Sequence, residues 1–165
     1  MSTNPEEQFI KEVTESQGII HKVCGIYCDD EEHRKDLFQE ILIQLWKSYS
    51  SFKGNSKFST WMYRVSLNVA LQHLRKSKRN PKEVVLQSSF DNIPETFSND
   101  TYEEETDLLR TAISHLNEIE KAIIMLHLEE KSNEEIAQII GITQNYVRVK
   151  MNRIKVKLKK IVNPD

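Results

Sequence analysis

Apolar residues recur every three to four positions along most of the 165-residue chain, which is the period of an amphipathic α-helix. Only four glycines and four prolines interrupt this pattern, and both residue types disfavour helix interiors. We therefore predict an all-α chain. The pattern predicts seven helices, at about residues 6–27, 33–49, 60–76, 103–115, 118–129, 133–140 and 144–161. Thr60 is placed to cap the third of them.

The helical period fades between residues 81 and 102, where Asp91, Asn92, Pro94, Asn99 and Asp100 accumulate. Such a polar, acidic composition buries little apolar surface and is typical of a flexible linker. We therefore predict two small helical domains: a three-helix bundle over residues 1–80 and a four-helix domain over residues 103–165. In the second domain, Asn117 followed by Glu120 forms a capping-box pattern at a helix start.

Charge is distributed unevenly although the formal net charge is only −2. Residues 53–82 contain eight basic and no acidic side chains, whereas residues 83–107 contain eight acidic and no basic ones. A further basic block begins at Arg148. Two positive blocks separated by a negative one indicate two surfaces that face phosphate groups.

The segment from Ser132 to Lys160 has the pattern of a helix-turn-helix. Ser132 followed by Glu135 forms another capping box, and Ile136, Ala137 and Ile140 form the apolar stripe of the first helix. Gly141 suits the left-handed backbone that ends a helix. Thr143 is then placed to cap the second helix.

The second helix of this motif carries seven Lys or Arg and no Asp or Glu between residues 144 and 162. Its apolar stripe consists of Val147, Met151, Ile154, Leu158 and Ile161. Asn145, Val149 and Asn152 fall on the opposite face, flanked by Arg148 and Arg153. Amides and arginines read base edges and hold phosphates in a major groove. The alternative is a basic face that is merely solvated.

Residues 37–46 hold seven large apolar side chains, more than one buried helix face requires. Either the helix is buried on several sides, or a second apolar surface contacts a partner. Asp36, Gln39 and Glu40 would border such a surface.

Six of the 13 aromatic residues lie between Trp46 and Tyr63, interleaved with Lys53, Lys57 and Arg64. Unstacked bases stack on aromatic rings while basic side chains hold the backbone, so this cluster indicates binding of single-stranded nucleic acid. Some of the rings are expected to belong to the core instead, and Phe52 and Trp61 are the first candidates.

The stretch DLFQEILIQLWKSYSSFKGNSKFSTWMYRVSLNVALQHLRK, residues 36–76, resembles region 2 of bacterial extracytoplasmic-function (ECF) sigma factors, and the helix-turn-helix resembles their region 4. The resemblance implies three sets of functional residues. The set implied to bind the clamp helices of core RNA polymerase is Asp36, Gln39, Glu40, Ile43 and Trp46. The set implied to melt and hold the promoter −10 element is Lys57, Phe58, Thr60, Trp61, Tyr63, Arg64, Asn68, Arg75 and Lys76. The set implied to bind the −35 element is Gln144, Asn145, Arg148, Asn152 and Arg153.

The function implied by this resemblance is promoter recognition and DNA melting together with core RNA polymerase, under control of an anti-sigma factor. The chain is then not an enzyme by itself, and neither a cofactor nor a metal is expected. We see no membrane span and no signal peptide, so the expected location is the cytoplasm.

Two other functions fit parts of the pattern. A dimeric helix-turn-helix regulator would bind duplex operators without polymerase. A helical adaptor that mimics a sigma factor would bind no DNA. Cys24 and Cys28, with His21 and His33 nearby, also allow a metal site or a redox switch, but ligands spread over two turns of one helix do not readily converge on one ion. We expect two reduced, buried thiols.

Overall fold

The computed structural model describes residues 4–79 and 100–163. The chain divides into two compact units, Met1–Asp91 and Asn92–Asp165. Regular structure in the described ranges is helical throughout, which confirms the predicted all-α class. The first unit contains α1 Pro5–Glu15, α2 Gln17–Tyr27, α3 Glu31–Ser48, a 3₁₀ turn at Tyr49–Ser51 and α4 Phe58–Arg79. The second contains α5 Asp100–Ser114, α6 Glu118–Leu128, α7 Asn133–Ile140 and α8 Gln144–Val162.

The predicted single helix over residues 6–27 is wrong in one respect, because the chain breaks at Ser16. There φ is −115° and ψ is 13°, away from helical values, and the Ser16 N–H bonds to the carbonyls of Glu12 and Val13. Serine competes with helical hydrogen bonding, and Gly18 follows two residues later, so this is the weakest point of the segment. The N-terminal bundle therefore has four α-helices among its described residues rather than three.

The core of the first unit lies where α4 packs against α2 and α3. Its fully buried side chains are Ile20, Val23, Leu37, Ile41, Leu45, Met62 and Ala70. Arg34 of α3 closes the end of α2, since its Nε donates to the Cys28 carbonyl at 2.9 Å and its Nη2 to the Asp29 carbonyl at 2.8 Å. Asp30 then caps α3 by accepting from the Glu32 N–H. These contacts fix the angle at which α3 leaves the turn.

The prediction that Thr60 caps the next helix is wrong. α4 already begins at Phe58, and the Trp61 N–H bonds to the Lys57 carbonyl at 3.1 Å. Thr60 is only 6% exposed, so it lies on the inward face of the first turn. The packing of the surrounding aromatic rings outweighs the capping preference of threonine at this position.

The three cap predictions of the second unit are confirmed. Asn117 and Glu120 form a reciprocal capping box at α6, with hydrogen bonds of 2.9 and 3.0 Å, and Ser132 and Glu135 form another at α7. Gly141 ends α7 with φ +85°, and Thr143 Oγ1 accepts from the Tyr146 N–H to start α8. Helices α5, α6 and α7 each pack against α8. The apolar stripe of α7 is shifted slightly, because Ile139 is buried and Ile140 only half-buried.

The predicted linker, residues 81–102, lies outside the described residues except for its last three positions, which already belong to α5. The predicted domain boundaries therefore stay a prediction. Among the described helices, none has both the length and the apolarity that crossing a bilayer requires.

Candidate nucleic-acid interface

Helix α8 presents a largely polar face to solvent. Opposite the buried Val147, Met151 and Ile154, all five residues predicted to contact DNA in this helix are exposed: Gln144, Asn145, Arg148, Asn152 and Arg153. Arg148 Nη2 donates to Asn145 Oδ1 at 2.8 Å, so these two side chains are held together one turn into the helix. The one-sided arrangement is the one that a groove-reading helix requires.

The start of α7 adds a residue that the sequence analysis missed. Asn133 lines a shallow depression of about 280 Å³ together with Gln144, Asn145 and Arg148. The sequence could have indicated Asn133, because it directly follows the cap residue Ser132. In a helix-turn-helix, the first residue of the first helix lies near the first turn of the second helix. Tyr146 is likewise exposed at 41%, with Lys150 Nζ 5.7 Å from its ring centroid.

An ion pair between a buried glutamate of α6 and a half-exposed lysine of α8 holds these two helices together. Lys157 Nζ lies 2.9 and 2.8 Å from the two carboxylate oxygens of Glu120, a residue that is only 1% exposed. Burial acts to raise the pKa of Glu120, but the hydrogen bond from Lys157, the backbone N–H of Asn117 and the positive charges of Lys157 and Lys150 outweigh burial and lower it. Glu120 thus both caps α6 and fastens α8. Its pairing with Lys157, 37 residues away, has no local signal in the sequence.

The residues predicted to handle melted DNA, which lie on α4 or directly before it, separate into two groups. The exposed ones are Lys57, Arg64, Asn68, Arg75 and Lys76. Apart from Lys76, they fall within roughly 40° of one another around the helix axis, at about 100° per residue. Thr60, Trp61 and Tyr63 are buried, with exposures of 6%, 8% and 3%, and Phe58 is half-buried. The structure thus brings the basic and amide groups onto one face and leaves the larger rings inside.

Three aromatic rings, one buried and two half-buried, form a compact cluster at the loop before α4. Phe52, Phe58 and Trp61 contact each other with centroid separations of 5.7, 5.1 and 5.4 Å. Such offset and edge contacts are typical of aromatic cores. The expectation that Trp61 belongs to the core is confirmed, and Phe52 is half-buried in the same cluster.

Helix α3 carries a second apolar surface. Leu37, Ile41 and Leu45 are completely buried, whereas Ile43 and Trp46 are 54% and 48% exposed. The hypothesis that the helix is buried on all sides is therefore wrong. Every residue predicted to bind polymerase lies on the exposed side of α3: Asp36, Gln39, Glu40, Ile43 and Trp46. Large exposed apolar side chains bordered by polar ones are typical of a protein-binding surface.

Two contacts hold side chains on the exposed side of α3 in position. The Trp46 ring meets Phe9 of α1 edge-on, with centroids 5.0 Å apart. His73 Nδ1 of α4 lies 3.2 Å from Glu40 Oε2. Phe9 also meets Tyr49 at 5.1 Å, and the Tyr49 hydroxyl donates to Glu12 at 2.9 Å. Burial, this hydrogen bond and the Glu12 charge raise the pKa of Tyr49.

The two cysteines do not form a reactive site. Cys24 and Cys28 are free thiols and both are buried. Burial, with the neighbouring Cys28 next in effect, raises the pKa of Cys24 to about 12, and burial raises that of Cys28 to about 11 although Arg34 acts in the opposite direction. Because the thiolate is the reactive form, these values argue against a redox switch. The described residues also contain no cluster of three metal-ligating side chains.

Comparison with known families gives two matches in the same order as the two units. Residues 13–80 match the model of sigma-70 region 2, and residues 106–158 match that of sigma-70 region 4. The chain is 28% identical over 140 residues to the ECF RNA polymerase sigma-E factor of Haemophilus influenzae, covering 78% of this chain and 74% of that protein. It is also 28% identical over 136 residues to the RNA polymerase sigma factor YlaC of Bacillus subtilis, covering 78% and 77%.

Two solved structures share the fold. The sigma factor RpoE of Bartonella quintana, solved in complex with the anti-sigma factor NepR, has a TM-score of 0.72 at 20% identity and covers 96% of this chain and 99% of its own. CnrH, solved in complex with the cytosolic domain of CnrY, has a TM-score of 0.69 at 17% identity, with coverages of 97% and 90%.

Proposed function

The chain belongs to the extracytoplasmic-function sigma factors, and we propose how its surfaces divide the work of transcription initiation. As a sigma factor it is not an enzyme; it associates with core RNA polymerase and directs it to promoter DNA. This membership leaves no place for the dimeric regulator or the DNA-free adaptor, because region 2 and region 4 both occur and stand in order.

We assign the exposed face of α3 to core polymerase. Ile43 and Trp46 supply apolar area, and Asp36, Gln39 and Glu40 surround it with polar groups. Tryptophan at the centre of an interface typically carries a large share of the binding free energy. Phe9 and His73 hold Trp46 and Glu40 in place from beneath.

We assign the exposed face of α4 to the promoter −10 element. Lys57, Arg64, Asn68 and Arg75 follow one side of the helix, where cations and an amide are available to a DNA backbone. Lys76 adds a further charge beside them. Phe58, half-buried at the start of the helix, is placed to meet an unstacked base. We assign Thr60, Trp61 and Tyr63, which are buried, to contacts that form once this region opens.

We assign the exposed face of α8 to the −35 element in duplex form. Gln144, Asn145 and Arg148 occupy the first two turns, and Asn152 and Arg153 extend the face by about one further turn. Helix-turn-helix proteins read base edges with the N-terminal part of this helix. The depression that Asn133 shares with these residues fits a phosphate-facing edge of the same site.

An anti-sigma factor is the proposed regulator, supported by the structure of the sigma factor RpoE of Bartonella quintana, which was solved in complex with the anti-sigma factor NepR. The proposed location is the cytoplasm, where RNA polymerase acts.

The proposed domain limits are residues 1–80 and 103–165, joined by a flexible acidic linker at 81–102. Such a linker would let each domain seek its own DNA element while both stay bound to polymerase.

The observation that carries these assignments is the exposure of Ile43 and Trp46 on a helix whose other face is fully buried. It is tested by co-elution of the purified chain with bacterial core RNA polymerase. Wild type is expected to co-elute, and Glu40→Ala combined with Trp46→Ala is expected to weaken binding about 30-fold or more, since buried tryptophan anchors contribute about 2 kcal/mol or more.

The matched control is Ile10→Ala combined with Glu15→Ala. It likewise removes one exposed apolar and one acidic side chain from the first unit, but from α1. It is expected to bind polymerase as wild type does. If both double variants bind equally well, the α3 assignment is wrong.

A further inference from the structure

An exposed valine stands in the middle of the polar face of α8. Val149 is 37% exposed, and it lies one turn from Asn145 and one turn from Asn152. Around the axis it falls roughly 40° from Asn145, between the sides that carry Arg148 and Arg153, at about 100° per residue. Val149 is not among the residues assigned to polymerase or to promoter DNA.

Neither helix stability nor core packing accounts for this valine. β-Branched residues lose side-chain freedom in a helix and are less favourable there than Lys, Glu or Gln. The core of the unit is served by the opposite stripe, where Val147 and Ile154 are fully buried. An apolar side chain among exposed amides and arginines therefore suits a surface that is itself partly apolar.

The major groove offers one such group. Thymine projects its C5-methyl group into the groove, and apolar side chains contact it, while asparagine pairs with the adenine edge. An asparagine, a valine and an asparagine in line thus match a run of A·T pairs, in which adenine edges and thymine methyl groups lie side by side.

We propose that Val149 is a specificity-determining residue of this sigma factor, and that its isopropyl group contacts the C5-methyl group of a thymine in the upstream promoter element. This proposal rests on the assignment of α8 to duplex DNA. It adds the chemical feature that the helix selects, a methyl group rather than a hydrogen-bonding edge.

The helix contains its own control. Val156 is 54% exposed and lies on the same side of α8, two turns closer to the C-terminus. Because the N-terminal residues of a recognition helix reach base edges, Val156 lies beyond the region that enters the groove. Val149→Ala and Val156→Ala make the same chemical change at comparable exposed positions, and alanine favours the helix at both.

The test uses holoenzyme assembled from core polymerase and each variant. Duplexes carrying the upstream element are first selected from a random pool with wild-type holoenzyme. Each thymine of the selected element is then replaced in turn by deoxyuridine, which lacks only the C5-methyl group. Binding is measured by competition against the unmodified duplex.

We expect one thymine whose replacement weakens binding of wild type and of Val156→Ala about four-fold, as burial of one methyl-sized group predicts. The same replacement is expected to change binding of Val149→Ala less than about two-fold, a bound set by roughly half the free-energy effect of one such group. The proposal is overturned if no replacement affects wild type, or if the effect persists in Val149→Ala.

Arg148→Ala distinguishes failure of this proposal from failure of its premise. If Arg148→Ala binds the selected duplex as tightly as wild type, or if no upstream element can be selected, then α8 does not read duplex DNA and both conclusions are wrong. If Arg148→Ala binds weakly while deoxyuridine has no effect, α8 reads duplex DNA and only the role of Val149 is wrong.

Discussion

Helices α4 and α8 are both assigned to promoter DNA, yet they hold their functional side chains differently. Every proposed contact of α8 is already in solvent, on the side opposite its buried stripe. In α4 the cations and Asn68 are exposed, but Trp61 and Tyr63 are packed inside. Duplex recognition by α8 therefore needs no rearrangement of the helix. Stacking of a melted base on Trp61 or Tyr63 requires these buried rings to become accessible first.

This difference matches the two states of the DNA. A duplex presents its groove edges without deformation, and a rigid face reads them. A flipped base must leave its stack at a cost of a few kcal/mol, and a pocket that forms only on binding adds a cost on the protein side. The exposed Lys57, Arg64 and Asn68 would make the first contacts, and Phe58, half-buried, the first ring contact.

The largest expected effect tests the buried rings of α4. Trp61→Ala combined with Tyr63→Ala removes two nearly fully buried rings, and Trp61→Ala alone is expected to cost about 3–5 kcal/mol. That is comparable to the whole stability of a small domain. Thermal melting followed by circular dichroism should therefore show loss of the first unit, and open-complex assays with this variant would report unfolding. If the variant melts like wild type yet forms no open complexes, the rings act on DNA directly.

The next effect tests α8. Arg148→Ala is expected to weaken binding to the upstream duplex about tenfold, because a specific arginine contact contributes about 1–3 kcal/mol. Binding to core polymerase and the melting temperature should not change, since Arg148 is exposed. Lys160→Ala, which removes the same charge about three turns further along, is the control. Equal losses in the two variants would mean that α8 contributes only general charge.

A smaller effect concerns the ion pair between the buried Glu120 and the half-exposed Lys157. The pKa of Glu120 in the folded chain lies below the roughly 4.3 of an unfolded glutamate. Its stabilising contribution is therefore complete above about pH 4.3 and is lost as the pH falls through the lower folded pKa. Glu120→Gln is expected to destabilise the second unit by about 1–3 kcal/mol at pH 7 and to flatten its acid dependence below about pH 4.3. The measurement is urea unfolding of the wild type and of Glu120→Gln over this pH range. If the free energies of unfolding of both proteins fall in parallel with pH, the prediction is wrong.

The smallest effect concerns the exposed side of α4. Lys57→Ala should lower the dependence of binding to the single-stranded −10 sequence on salt, with the slope of log K against log salt falling by about 0.7. Duplex binding by α8 should keep its slope. Gln72→Ala, which removes an exposed uncharged side chain of the same helix, is the control. An unchanged slope for Lys57→Ala would place this lysine away from the DNA backbone.

The second unit was largely predictable because its signals are local. Capping boxes at Asn117 and Ser132, the turn at Gly141 and the cap at Thr143 each involve residues at most three apart, and all four are found. The exposed face of α8 follows from helical periodicity and one-sided charge alone. Local signals did not predict the ion pair of Glu120, because its partner Lys157 is distant in sequence.

The first unit was less predictable because its aromatic residues serve two purposes. Periodicity alone does not distinguish an aromatic ring that packs in the core from one that stacks on a nucleic-acid base. Tertiary packing decided the matter for Trp61 and Tyr63, and it also placed Thr60 inside rather than at a cap. The break at Ser16 had only weak local signals. The outward side of α3 was recognisable, since its apolar residues exceeded what one buried face requires.

The positions of the two tryptophans have a spectroscopic consequence. Trp46 is 48% exposed beside Phe9, Trp61 is 8% exposed in the aromatic cluster, and the chain has no other tryptophan. Trp46 should emit at long wavelength and be accessible to a soluble quencher, whereas Trp61 should emit at shorter wavelength and be shielded. A Trp46→Phe chain would then follow opening of the aromatic cluster, and a Trp61→Phe chain would follow polymerase docking. The second unit contains no tryptophan, so the tryptophan fluorescence of this sigma factor reports on the first unit alone.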